Sequence, residues 1–314
     1  MNNDEKRRRR TINNIDHDVN TIWTRYGVDS EGARSNNKAA EIYERQLVPA
    51  MFKPFARDLI QLCNIRRSDR ILDVACGTGI VSRLVTDYVD RTVGKVVGVD
   101  INPVMLNVAR HCSVGKDIEW KEGSALSLPF PEESFDLAIC QQGLQFFPDR
   151  LKALTQLNRV LVGASNTIGD KNYGYGRLVL SVWTSIKDSP GFSILERLLQ
   201  ETISHEAATI MQLPHSLSDS TELVSLVKAA GFSKILSKEV TKAISFSSIE
   251  EFVVGYTSGS MLASYFSDRK KVDDILRNKL LKSASSELSH FVDEHSGKLS
   301  FPLRTHLIFA NKNS

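Results

Sequence analysis

Seven consecutive residues, Asp73-Val-Ala-Cys-Gly77-Thr-Gly79, follow a short apolar run and precede a helical pattern. Glycines at a strand-to-helix turn let the backbone bend sharply and approach a ligand that a Cβ would displace. Asp100 ends the next apolar run, Lys95–Val99. A carboxylate in that position can accept hydrogen bonds from both hydroxyls of a ribose. A glycine loop followed by an acid on the next strand says more than either part alone.

The details exclude two common phosphate ligands. A dinucleotide site needs G-x-G-x-x-G, whereas Ile80, Val81 and Ser82 follow Gly77-Thr-Gly79. The G-x-x-x-x-G-K-[ST] pattern of phosphoryl-transfer loops is absent. An acid at Asp73 repels phosphate and suits a cationic amino-acid end. The ligand predicted from these residues has a ribose and an amino group and lacks a phosphate.

The elements that must hold these residues alternate in type. Arg70–Ala75, Lys95–Val99, Ile118–Lys121, Phe135–Cys140 and Leu178–Trp183 read as strands. Helical patterns lie between them at Ile80–Val89, at Pro103–Cys112 with proline in the first turn, and at about 150–162. Before them, Lys38–Cys63 is helical and is broken in two by Pro49 and Pro54. After Trp183 come helical segments near 190–212, 219–230, 248–256 and 269–290, with strands at Ile235–Phe246 and Arg304–Asn311.

This rhythm predicts an α/β fold: a Rossmann-like, doubly wound, mostly parallel seven-stranded sheet that closes on an antiparallel pair. The predicted organisation is a disordered or partly ordered extension over 1–37 and one catalytic domain over 38–314. Within that domain, 186–300 supplies helices that cover the substrate. The glycine- and asparagine-rich stretch 163–176 reads as a surface excursion.

Taken in order, these segments resemble the class I S-adenosylmethionine-dependent methyltransferases, particularly the branch of the ubiquinone/menaquinone C-methyltransferases. The resemblance covers about residues 38–183, with an echo at Ala229-Ala-Gly-Phe232. It implies S-adenosyl-L-methionine as cofactor. Asp73, Ala75, Gly77 and Gly79 would surround its methionine part, and Asp100 with Ile101 would hold the ribose. Glu122-Gly-Ser124-Ala125, then Leu128-Pro-Phe130 and Ser134-Phe-Asp136, resembles the segment that meets adenine. Gln141 and Gln142 would lie beside the reacting centre.

Three residues or segments depart from the family pattern. Ala75 stands where the first glycine is usual, which requires a negative φ there. Ser124 replaces a frequent aspartate, weakening an adenine contact. The stretch 163–176 enlarges a turn that is usually short.

The acceptor is less legible than the cofactor. Methyl transfer gains most from aligning nucleophile and methyl group, and a general base is optional. Cys140-Gln-Gln-Gly143 is not the [D/N/S]-P-P-[Y/F] of enzymes that methylate amides or adenine, which argues against DNA and protein glutamine as acceptors. Gln141, Gln142 and Gln145 either line an acceptor pocket or belong to an ordinary polar loop. Phe146 and Phe147 either pack an aromatic acceptor or fill the core. Tyr26 and Tyr43 precede the first strand, where this family often folds a helix over the cofactor; Tyr43 is also on an apolar stripe.

His205 and His215 are the candidate bases, each with a structural reading beside it. His290 and His295 miss the i, i+4 spacing of a helical metal site, and no metal is predicted. Phe252, Met261, Leu262 and Phe266 suit a hydrophobic acceptor or a packed cap equally.

Composition sets the remaining bounds. A hydrophobic share of 41% and a charged share of 25% are those of an ordinary globular protein. The formal charge of +3 resides in residues 1–10, where Lys6 and Arg7–Arg10 outweigh Asp4 and Glu5, and the rest of the chain balances to zero. That argues against a nucleic-acid partner, whose enzymes spread excess Lys and Arg over a whole face. With no membrane-spanning run and no secretory signal, the expected compartment is the cytoplasm and the expected partner a small-molecule substrate.

Cys63, Cys76, Cys112 and Cys140 lack metal-ligand spacing and read as small buried side chains. Two other readings compete. A non-catalytic S-adenosylmethionine-binding or partner-binding protein would explain Ser124 and the lack of an obvious base. An NAD-dependent oxidoreductase rests on the shared fold alone.

Overall fold

The computed structural model describes residues 32–163, 175–267 and 273–313. They fall into two compact units. One holds the described residues up to Leu47 with Ser185–Ser216 and Ala243–Pro302; the other holds Val48–Thr184, Leu217–Lys242 and the residues from Leu303. The basic run Lys6–Arg10, Tyr26 and most of 163–176 lie outside the described residues.

Seven strands form one sheet: β1 (Arg70–Val74), β2 (Lys95–Asp100), β3 (Glu119–Glu122), β4 (Leu137–Gln141), β5 (Arg177–Trp183), β6 (Phe232–Phe246) and β7 (Leu299–Lys312), in the order β3-β2-β1-β4-β5-β7-β6. The pairs β2–β3, β1–β2, β1–β4 and β4–β5 are parallel, and β7 runs antiparallel to β5. Ile71, Leu72, Leu137, Ile139, Leu178 and Leu180 are fully buried. Strands covered on both faces read as continuous apolar runs, which is why the central strands were legible in the sequence.

The order reverses direction between β1 and β4. In open α/β sheets that switch point, at the carboxyl ends of the strands, is where ligands bind. The helices that follow β2 and β4 are started by side chains. Asn102 accepts from Val104 N ahead of helix Pro103–Cys112, and Asp149 accepts from Lys152 N ahead of helix Arg150–Val160.

Several boundaries differ from the sequence reading. The helix after β1 spans only Ile80–Val85, and Thr86 Oγ1 folds back to Arg83 O. The first helix begins at Gly32, earlier than its apolar periodicity. Pro49 does not end it. The backbone over Tyr43–Phe52 is wound as a π-helix that contains this proline, and Pro54 opens the next helix, Lys53–Leu62. The wider winding tolerates a residue without an N–H, and such segments favour functional sites. The segment near 190–212 is two helices, Pro190–Thr202 and His205–Gln212, because Ser204 Oγ accepts from Ala207 N and starts a new one.

The unit containing Ser185–Ser216 and Ala243–Pro302 has its own aromatic core. The Phe192 ring lies 5.0 Å from Tyr256, 5.4 Å from Phe252 and 5.7 Å from Phe301. A Cβ on Gly191 would stand 2.4 Å from the Phe301 ring, so a larger residue is excluded there. Phe252, Leu262 and Phe266 are buried.

Candidate cofactor site

Strand β1 is rigid because its neighbours cover it on both sides, and it delivers the glycine bend at its carboxyl end. Ala75, Gly77 and Gly79 all have positive φ, at 54°, 55° and 82°. The negative φ expected for Ala75 is therefore corrected. Alanine occupies the left-handed region the family glycine would take, at a cost of about 1–2 kcal/mol. Strained backbone of this kind persists only where its surroundings over-determine it.

The two glycines are required for different reasons. A Cβ on Gly77 would meet nothing within 4 Å, so open space lies beside it. A Cβ on Gly79 would stand 2.2 Å from Cη2 of Trp120, and one on Gly98 would stand 2.4 Å from Cζ3 of the same ring. Gly79 and Gly98 thus make room for an indole of this chain. Trp120 gives no signal of its own in the sequence, because it is a lone aromatic on an edge strand.

Asp100 ends β2 with both carboxylate oxygens engaged. Oδ2 accepts from Gly77 N at 2.8 Å, and Oδ1 from Asn102 N at 2.8 Å. Burial pushes this carboxyl above the usual range, while the N–H groups of Asn102 and Gly77 pull it back. Each carboxylate oxygen has a second acceptor direction beyond these bonds. Ile101 beside it is 60% exposed, an unusual state for a large apolar side chain.

Asp73 has a different environment. It is 1% exposed, and its Oδ2 accepts from Ser82 Oγ at 2.6 Å and from Ser82 N at 3.0 Å. Burial pushes its carboxyl up to about 7 against those hydrogen bonds, and the nearby Asp100 adds to the rise. Thr78, also 1% exposed, has a buried hydroxyl with no partner among the described residues. Ser124 Oγ accepts from Leu126 N at 3.2 Å, and Ala125 packs into the core. Gly123 N donates to Asp100 O at 3.0 Å, which draws this segment to the end of β2.

The glutamines at the end of β4 and just after it are buried and bonded. Gln141 Nε2 donates to Phe52 O at 2.9 Å. Gln142 Nε2 donates to Ser181 Oγ and Thr305 Oγ1, and Gln145 Nε2 donates to Gln142 Oε1. Phe147 packs against the core, and Phe146 is half-buried. His205 and His215 belong to the other unit. His205 is exposed with Nδ1 2.8 Å from Gln200 Oε1, and His215 is buried 6.3 Å from the Phe192 ring. Cys63, Cys76 and Cys140 are buried as expected, but Cys112 is exposed at a helix end. No cluster of His, Cys, Asp and Glu fit for a metal occurs among the described residues.

An open space at Gly77, a carboxylate held at its edge and an exposed apolar side chain beside that carboxylate fit an adenosine ligand with a cationic tail. The comparisons with known proteins agree. A model of the methyltransferase domain matches residues 72–164. The ubiquinone/menaquinone biosynthesis C-methyltransferase UbiE of Proteus mirabilis is 31% identical over 196 residues, which is 60% of this chain and 76% of that protein. The chain belongs to the class I S-adenosylmethionine-dependent methyltransferases, in the branch of the UbiE enzymes.

The cofactor of this family is S-adenosyl-L-methionine, and the residues at the bend fit it. A second relative, the 2-phytyl-1,4-naphtoquinone methyltransferase of Synechococcus elongatus, is 34% identical over 151 residues. That alignment spans 46% of this chain and 64% of the relative's length.

Among solved structures, the YcgJ protein of Bacillus subtilis shares the fold with a TM-score of 0.52 and 20% identity, over 82% of this chain and 98% of that one. The Haemonchus contortus phosphoethanolamine N-methyltransferase 2, solved with S-adenosyl-L-methionine, has a TM-score of 0.55 and 15% identity, over 94% of this chain and 60% of that one. The non-catalytic and NAD-dependent alternatives gain no support from these relatives. Among the described residues no helix is long and apolar enough to cross a membrane.

Proposed function

We propose that this methyltransferase acts on a small hydrophobic or aromatic acceptor, with a quinone ring as the leading class. The observation that carries the cofactor half of this reading is the bond between Gly77 N and Asp100 Oδ2 beside open space at Gly77. The acceptor class is supported by the relatives, one named as a C-methyltransferase of ubiquinone/menaquinone biosynthesis and one as a 2-phytyl-1,4-naphtoquinone methyltransferase.

When bound, S-adenosylmethionine supplies a methyl carbon activated by a sulfonium. The chain's own residues bind and align. Asp100 offers its free acceptor directions to the ribose hydroxyls, and charge-assisted bonds of this type are the stronger ones. Ile101 offers apolar surface to the adenine. The backbone of 75–79 offers a cradle without a Cβ at Gly77, and Asp100 places a carboxylate at the edge of that cradle, toward a cationic ligand. Alignment is the main source of rate in such an in-line transfer.

Isothermal titration with S-adenosylhomocysteine tests the cofactor half, and binding in the micromolar range is expected. Transfer of labelled methyl from S-adenosylmethionine to a reduced 2-alkyl-1,4-naphthoquinone, beside simple phenols and amines, tests the acceptor half. No binding of S-adenosylhomocysteine by folded protein removes the whole reading. Binding with transfer only to an amine removes the quinone assignment.

A further inference from the structure

Two non-glycine residues with left-handed backbone stand at the ends of adjacent strands. Ala75 has φ 54° after β1, and Gln142 has φ 54° after β4. The turn that contains Gln142 is packed directly against Ala75: a Cβ on Gly143 would lie 2.7 Å from Ala75 Cβ and 2.9 Å from Cys140 Sγ. Whatever fixes the β4 turn therefore also fixes the first residue of the glycine bend.

The Gln142 side chain supplies that fixation through every polar atom it has. Nε2 donates to Thr305 Oγ1 at 3.0 Å and to Ser181 Oγ at 3.3 Å, while Oε1 accepts from Gln145 Nε2 at 3.2 Å. Its backbone N donates to Ser181 O at 2.9 Å. Thr305 Oγ1 donates in turn to Val182 O at 2.8 Å, which leaves its lone pairs for the glutamine. Gln142, Gln145, Ser181 and Thr305 are all buried. One amide thus joins β4, β5 and β7 at the edge that carries the site. Buried amides bonded in this way are held rigidly, and strained turns persist where such bonds hold them.

We propose that Gln142 is a positioning residue for methyl transfer: its buried amide clamp locks the β4 turn and, through Gly143 and Ala75, sets the geometry of the cofactor bend. This rests on the cofactor assignment made above. The Gln142 side chain is buried and bonded to groups of the chain itself. It acts through the backbone of residues 75 and 143.

The test compares cofactor affinity with stability. Gln142→Met keeps the length of the side chain and removes its hydrogen bonds. Its Kd for S-adenosylhomocysteine by calorimetry, measured well below the melting transition, is expected to rise about tenfold. Arg177→Met, which breaks a buried ion pair with Asp69 at the opposite end of β5, is the control: it lowers the melting temperature and leaves Kd unchanged. Thr305→Val and Gln145→Leu each remove one bond of the clamp, with an expected two- to threefold rise in Kd should Gln142→Met fail to fold.

A lower melting temperature with unchanged Kd in all the clamp variants overturns the proposal. Wild-type protein that does not bind S-adenosylhomocysteine overturns the cofactor assignment instead, so the two failures are distinguishable.

Discussion

Gly77 N donates to Asp100 Oδ2 across 2.8 Å, joining the middle of the glycine bend to the end of the neighbouring strand. The same carboxylate caps the backbone at Asn102. Asp100 thus has two tasks, holding the bend and offering acceptor capacity beside it. Asp100→Ala removes both, and the Kd for S-adenosylhomocysteine is expected to rise at least tenfold, with stability lower by about 1–3 kcal/mol for the part-buried N–H groups of Gly77 and Asn102 left unpaired. Asp100→Asn keeps a neutral acceptor, and titration should place its Kd between the two. An alanine variant that binds like wild type removes Asp100 from the cofactor site.

Asp73 leads to a pH prediction with an uncommon sign. Its folded-state value of about 7 lies above the ordinary carboxylate value of 3.8, because burial disfavours the charge. The native state therefore binds more protons than the unfolded chain between roughly pH 4 and 7, and stability falls as pH rises through that window. Above about pH 7 this contribution is flat. Asp73→Asn keeps an acceptor for Ser82 and abolishes the titration. Denaturant unfolding from pH 4 to 8 should show a shallower decline in the variant, by an amount on the order of a few kcal/mol across the window. Parallel curves for the two proteins exclude Asp73 as the titrating group.

Trp120 and Gly98 make a prediction about packing. Gly98→Ala places a methyl inside the indole's space, and overpacking of this kind costs about 1–3 kcal/mol. Trp120→Val vacates the space, so Gly98→Ala should be much milder on that background. Chemical denaturation of the four proteins gives the coupling as a double-mutant cycle, with an expected interaction of about 1 kcal/mol or more. Additive effects contradict the packing role given to Gly98.

The central sheet was legible because β1, β2, β4 and β5 are apolar runs bounded by turn residues, and because the glycine bend and Asp100 fall at their ends. Boundaries were less legible where side chains decide them. Thr86 turns back on Arg83 and ends its helix early, and Ser204 starts a helix inside a stretch whose periodicity looks unbroken. The winding of Tyr43–Phe52 was not legible at all, since proline normally signals an end and here is absorbed by a wider helix.

The site divides along the same line. Residue type and spacing by themselves determined the mostly parallel sheet, the bend, its acidic partner and the expectation of a phosphate-free ligand, because those depend on local backbone freedom and on charge. Tertiary structure alone decided which glycine faces open space and which faces Trp120, that Ala75 takes a left-handed backbone, and that Gln142 clamps three strands. Each of those depends on atoms brought together from distant parts of the chain, and local spacing carries no record of such contacts.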